Sequence, residues 1–147
     1  MAISSVSFAA NTKAASADVN TNFNNVSSAI RPLYSFAVDE ILTVGTGKAL
    51  TIPITHTSLT LIKAYATVKT APTGASILVD INKGGTSIWS SNPGNRLTIA
   101  AGATSGTQTA FDTTAFAETN LLTLDIDQVG STVAGTSLLV ILKFEHN

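Results

Sequence analysis

From Leu33 onward, apolar and polar residues alternate with a period of two, and turn residues interrupt the alternation at short intervals. Successive side chains of a strand point to opposite faces, so this period marks half-buried strands and does not suit helices. Ten segments follow the pattern: Leu33–Val38, Glu40–Val44, Ala49–Ile54, Leu59–Val68, Ser76–Ile81, Thr86–Ser90, Arg96–Ile99, Thr107–Phe111, Leu121–Gln128 and Ser137–Glu145. Gly45-Thr46-Gly47, Pro72-Thr73-Gly74, Gly84-Gly85, Asn92-Pro93-Gly94, Gly102, Gly106, Gly130 and Gly135 punctuate them. Short strands with turn signals spaced about 8–12 residues apart imply a sandwich or a barrel. No connection has room for a crossover helix, so the sheets are expected to be antiparallel. The predicted fold is mainly β: an antiparallel two-sheet β-sandwich of jelly-roll type over residues 32–147, preceded by an extended N-terminal arm and one short helix.

The alternation also proposes a core. Ile62, Ala64, Ala66 and Val68 share one face of their strand, opposite Lys63, Tyr65, Thr67 and Lys69. Ile77, Val79 and Ile81 face inward, with Asp80 and Asn82 outward. Leu122, Leu124 and Ile126 face inward, with Asp125 and Asp127 outward. The last strand departs from the rule, because Leu138–Leu142 is apolar on both faces. Such a strand in a lone sandwich calls for a second covering surface, supplied by a partner or by the chain's own arm or helix.

Residues 1–15 contain only Ile3, Val6 and Phe8 as sizeable apolar side chains, too few for a core. They read as an extended arm, with these three residues as candidate anchors to a platform protein; the alternative is a frayed terminus. They have no basic stretch ahead of Lys13, so a cleaved signal peptide is not expected. Residues 16–31 read as a short helix. Asp18 is placed to cap it, Pro32 ends it, and Val19, Phe23, Val26 and Ile30 form one apolar seam. Asn20, Asn22, Asn24, Asn25, Ser27 and Ser28 are poor helix formers, so the seam must be buried against something. The favoured covering is copies of the same chain, and the alternative is the chain's own β domain.

Composition narrows the chemistry. The formal net charge of −1 leaves no electrostatic footprint for nucleic acid. The absence of cysteine excludes disulfides, zinc–thiolate sites and thiol catalysis. The longest aliphatic run, Leu138–Leu142, is far short of the ~20 residues that cross a membrane as a helix. Asp125 and Asp127 are two apart on one strand face, a spacing open to calcium or acid–base work, but nearby strands offer few further oxygens and a solvated face is favoured. Asp80 reads as an exposed carboxylate, paired at most with a lysine. His56 and His146 stand far apart in sequence, with no carboxylate pair or second histidine at ligand spacing. No nucleophile elbow, phosphate loop or dinucleotide fingerprint occurs. No cofactor, metal or catalytic residue is therefore expected. Trp89 is the only tryptophan; if Ile88 faces inward, Trp89 faces outward, and with Asn92 and Asn95 it forms a candidate glycan contact, against the favoured reading that it covers a core edge or a subunit contact.

The stretch Asn11-Thr-Lys-Ala-Ala-Ser-Ala-Asp-Val-Asn-Thr-Asn-Phe-Asn-Asn-Val26 resembles the opening helix of tailed-bacteriophage virion appendage proteins, a group that spans capsid decoration, head-fibre and tail-fibre β-sandwich proteins. Residues Thr67–Ile88, Leu97–Gly102, Leu121–Gly130 and Gly135–Val140 resemble the β-sandwich domains of the same proteins. Together these stretches cover about half the chain, in the expected order. The resemblance implies a homotrimer, with short helices bundled on a threefold axis and three sandwiches around it. The chain departs from the fibre pattern in lacking a long shaft and a separate receptor-binding tip.

The expected function is that of a non-enzymatic virion structural protein. The favoured form is a homotrimeric capsid decoration, cement or head-fibre protein, held by residues 1–15 and displaying its sandwich outward. Its partners would be itself, a major capsid or other virion protein, and host surface glycans; its location would be the virion surface, on capsid or tail. The alternatives are a small tail-fibre or tail-tip component and a carbohydrate-binding receptor module.

Overall fold

The computed structural model of the chain describes residues 31–147. The expected arm and helix, with Ile3, Val6, Phe8, Val19, Phe23, Val26 and Ile30, lie outside the described residues. The described residues form ten strands: β1 (Leu33–Ile41), β2 (Ile52–Pro53), β3 (Leu59–Thr70), β4 (Ile77–Lys83), β5 (Thr86–Ser87), β6 (Leu97–Ile99), β7 (Ser105–Gln108), β8 (Ala115–Phe116), β9 (Leu121–Gln128) and β10 (Thr136–His146). A single 3-10 turn, Pro93–Asn95, precedes β6.

Every pairing is antiparallel, in two five-stranded sheets. Sheet A runs β1-β10-β3-β7, with β8 also on β3; sheet B runs β2-β9-β4-β5, with β6 also on β4. The pairings are nested: β1 with β10, β2 with β9, β3 with β7 and β4 with β6. A long hairpin rolled on itself produces this nesting, which is the jelly-roll topology. Pro53, which has no N–H to give a ladder, sits in β2 at the edge of sheet B.

The core fills the space between the sheets. Phe36, Val38, Leu138, Val140, Leu142 and Phe144 point inward from sheet A, and Ile77, Val79, Ile81, Leu122, Leu124 and Ile126 from sheet B. Each such side chain stabilises the fold by about 1.5–3 kcal/mol through removal from water. Phe116 and Phe144 meet edge to face with ring centroids 5.2 Å apart, closing one end.

Three register shifts occur; one, between Leu78 and Val79, leaves Asp127 as the extra residue of β9, and the other two alter the expected pattern. In β3, Lys143 pairs with Lys63 but Phe144 pairs with Leu61, so Ile62 is the extra residue. The parity of β3 changes there. Leu59 and Leu61 are buried before the bulge and Ala64, Ala66 and Val68 after it, so Ile62, expected in the core, is only half-buried. In β1 a shift between Val38 and Ile41 joins two expected strands into one. The chain then leaves sheet A, and the bridge from Gly45 to Ile126 brings it to sheet B. Of the expected strand Glu40–Val44, Glu40 and Ile41 therefore extend β1, and Leu42–Val44 are the crossing between sheets.

Candidate functional site

Three places gather the residues that the sequence singles out. The first is the outer face of sheet B. The register places Asp80 opposite Asp125, and β9 carries Asp127 two residues further on. Arg96, just before β6, reaches over this face; its Nε lies 3.3 Å from Asp80 Oδ2 and 3.1 Å from Asp127 Oδ2. Ser87 donates to Asp80 Oδ1 at 2.7 Å, and Asn82 Nδ2 donates to Asp125 Oδ2 at 2.8 Å. The Gly47 amide donates to Asp125 Oδ1 at 2.7 Å. Asp80 and Asn82, expected to be exposed, are therefore buried, and the partner of Asp80 is an arginine, not a lysine. Burial pushes the Asp80 carboxyl above its ordinary range, against the lowering effect of Ser87 and Arg96; the Asp127 charge raises it further. Every carboxylate here is already held by protein donors, which makes the cluster a tie between β4, β6 and β9. Among the described residues no group of three or more His, Cys, Asp or Glu side chains is arranged to hold a metal ion.

The second place is the loop system around Trp89. Strict alternation would turn this residue outward, but β5 ends at Ser87 and the chain turns. Ile88 and Trp89 both enter the core, and Trp89 is fully buried. Its Nε1 donates to the Ala110 carbonyl at 2.7 Å, and its ring lies 5.7 Å from that of Phe111. A buried indole has no face to offer a sugar, so Trp89 is not the glycan contact that alternation suggested. Asn92 and Asn95 remain exposed on the neighbouring turn. Asp112 organises that turn: Oδ2 accepts the Ser91 and Asn92 amides at 2.8 and 2.9 Å, and Oδ1 accepts Asn92 Nδ2 at 2.6 Å. The Asn92 side chain leads these bonds in holding the Asp112 carboxyl below its usual range. Nothing in the sequence pattern flagged Asp112 or Arg96, because their partners are distant in the chain.

The fold of this chain is similar to that of a capsid chain of Ralstonia phage GP4. The likeness covers 82% of this chain and 86% of that one, with a TM-score of 0.50 and 16% identity. A chain of the cyanophage Pam1 capsid asymmetric unit aligns over 80% of this chain and 85% of its own, with a TM-score of 0.42 and 10% identity. The Drosophila NLP core, described with its pentamer formation and histone binding, aligns over 78% and 98% with a TM-score of 0.41 and 13% identity. At these identities the likeness to the GP4 chain concerns the fold alone. No family model matches the sequence, and no curated protein matches it.

The third place is the outer face of sheet A. Register sets Ser35, Ile141, Tyr65 and Thr107 in one row and Ala37, Leu139, Thr67 and Ser105 in the next. Leu33 lies at the corner and is 61% exposed, and Leu139 is 39% exposed. With Tyr65 and Ile141, Leu33 lines a shallow apolar groove of about 400 Å³. The doubly apolar last strand thus has one face in the core, and the other is left uncovered by the rest of the described residues. Lys63 sits over the Tyr65 ring at 4.7 Å, and Lys143 and Lys69 complete a basic margin.

The two histidines do meet, in contrast to their sequence spacing. Their ring centroids are 6.1 Å apart, and Tyr34 OH lies 2.9 Å from His56 Nδ1. They close the same end of the sandwich as Phe144, 5.5 Å from the Tyr34 ring. Two imidazoles without a third ligand fit an aromatic end-plug.

Proposed function

We propose that this chain is a non-enzymatic structural protein of a tailed-phage virion. In this reading it is a homotrimeric capsid decoration, cement or head-fibre protein, anchored by residues 1–15 and displaying its jelly roll outward. The observation that carries the reading is the outer face of sheet A, an apolar strip open to water on a sandwich whose outer carboxylates are held by its own donors. Chains with 12% charged residues and such a face are built to be covered. The fold likeness to a phage capsid chain and the resemblance of residues 11–26 to virion appendage helices support the same reading. Val19, Phe23, Val26 and Ile30 are assigned to the trimer seam, and Ile3, Val6 and Phe8 to the platform contact.

Light scattering on the full chain and on a chain beginning at Leu33 tests the assembly. A trimer that becomes a monomer on truncation, or in the Phe23→Asp variant, supports the seam. A monomeric full chain overturns the self-trimer. Co-sedimentation with capsids of the phage that encodes the chain tests the location: binding lost on deletion of residues 1–15 is expected, and no binding by the full chain overturns the virion role.

A further inference from the structure

A second apolar surface lies on the opposite side of β1 from the groove on sheet A. The segment from Gly47 to Pro53 runs past the free edge of β1 and leaves an open cleft. One end, of about 440 Å³, is bordered by Asp39, Glu40 and Leu50; the other, of about 370 Å³, by Ser35, Leu50 and Ile52. Leu50 is 89% exposed, the most exposed large apolar side chain among the described residues, and Ile41 is 68% exposed nearby.

We propose that these two surfaces are the halves of one head-to-tail contact between copies of this chain, with Leu50 of one copy seated against Tyr65 and Ile141 of the next. The proposal rests on the homo-oligomeric reading above and adds to it the surfaces that meet. Three observations converge on it. The first is that a ring needs two different, complementary patches on every subunit, and β1 carries one on each flank. Charge agrees as well. Lys143 lines the sheet A groove and Lys63 lies over its Tyr65 ring, and neither forms an ion pair among the described residues. The Leu50 cleft is lined by Asp39, Glu40 and Lys48; Glu40, whose side chain is 64% exposed, lies 3.8 Å from Lys48, and two carboxylates against one ammonium leave this border net acidic. A basic margin facing an acidic one sets register and disfavours like surfaces meeting. The third observation is how close Leu33 lies to the proposed seam in the sequence. Pro32 O accepts Phe144 N–H at 2.9 Å, and Arg31 lies 3.3 Å from Glu145. Only Arg31 and Pro32 separate the seam from Leu33, at the corner of the groove, so copies joined by their seams bring this corner together.

The chain has no cysteine, so a designed disulfide reads the contact without background. Leu50→Cys and Tyr65→Cys are made singly and together in the full chain, oxidised and run on a non-reducing gel; circular dichroism checks the fold. Within one chain β1 and β10 lie between the two positions, so the link must join copies. The double variant is expected to give a covalent dimer and a closed trimer, and each single variant a monomer. Dimers from either single variant would mean that like surfaces meet, and would overturn the proposal. An oligomer by light scattering with no cross-link in the double variant would overturn it while leaving the oligomer standing. A full chain that is monomeric by light scattering overturns both. A ladder running past trimer keeps the head-to-tail contact and overturns only closure at three.

Discussion

Arg96 Nε lies 3.3 Å from Asp80 Oδ2, and that carboxylate is buried on the outer side of a sheet instead of between sheets. The same guanidinium reaches Asp127, so one partly exposed cation offsets two carboxylates on adjacent strands. Replacing Arg96 by Met removes the cation that Asp80 and Asp127 share and leaves Asp80 only the Ser87 hydroxyl. The expected loss is about 2 kcal/mol, below the 3–5 kcal/mol typical of a fully buried pair because Arg96 is partly solvated. Urea denaturation measures it. Asp80→Asn in the Arg96→Met background should recover much of the loss.

The same site predicts a pH dependence. Asp80 binds its proton more tightly in the folded chain than in the unfolded one. Its ionisation therefore costs stability as pH rises through the raised folded value, and acidification from there toward 3.8, the ordinary value, regains it. The window should widen in Arg96→Met, where a lowering influence is lost. Midpoints of urea denaturation across pH 4 to 7, compared with Asp80→Asn, read the effect; a flat difference between the two would contradict it.

Asp112 behaves in the opposite sense. Its folded value is depressed, so its contribution is complete above 3.8 and is lost as pH falls through the lower folded value. The bonds at risk are those to the Ser91 and Asn92 amides. Amide exchange at these two positions should accelerate in acid relative to the β4 amides, after correction for intrinsic rates. Asp112→Ala should show that acceleration already at neutral pH.

Trp89→Ala removes the largest fully buried side chain, and the expected cost is about 3–5 kcal/mol. Trp89→Phe keeps most of the volume but leaves the Ala110 carbonyl without its donor, and should cost less. As the only tryptophan, Trp89 should also emit at short wavelength in the folded state and shift to the red on unfolding. An emission maximum typical of exposed indole in the native protein would contradict the burial.

Gly106 in β7 marks where an edge of sheet A abuts sheet B. A Cβ there would overlap the carbonyl oxygen of Thr98 in β6, a backbone atom that cannot swing aside. Gly106→Ala should cost about 1–3 kcal/mol by overpacking. Gly84→Ala meets no neighbour but holds φ +56, so its cost of about 1–2 kcal/mol has a different cause, backbone strain. Thermal denaturation of the two variants measures both.

Most strands and most of the core are legible in the sequence because alternation is a local signal, whereas the two-residue β8 is too short to show one and Glu40–Val44 is not a separate strand. Leu122, Leu124, Ile126, Ile77, Val79 and Ile81 all point as their spacing predicts. Ile62 does not, because one inserted residue reverses parity and leaves no mark in composition. Trp89 departs for a related reason: β5 stops at Ser87, and alternation loses its meaning where a strand ends. The outer network is legible only in its acidic half. Asp80, Asp125 and Asp127 can be seen on strand faces, but Arg96 joins them through tertiary structure. The apolar outer face of β10 is the most informative local anomaly, since five consecutive apolar residues in a half-buried strand already mark a surface that needs cover.

The place of β10 in sheet A carries a consequence for biosynthesis. It lies between β1 and β3, so β1 has no partner strand, and β3 none on that edge, until residues Thr136–His146 have been made. A nascent chain halted before Thr136 has a sheet A split down the middle, with two open edges and Phe36, Val38, Leu61 and Ala64 lacking their cover. Folding of sheet A must wait for translation of this strand, and a product terminated before it should be degraded faster than the full chain, which a pulse-chase measurement would show. The central strand thus acts as proofreading: only a chain translated through it can close its sandwich.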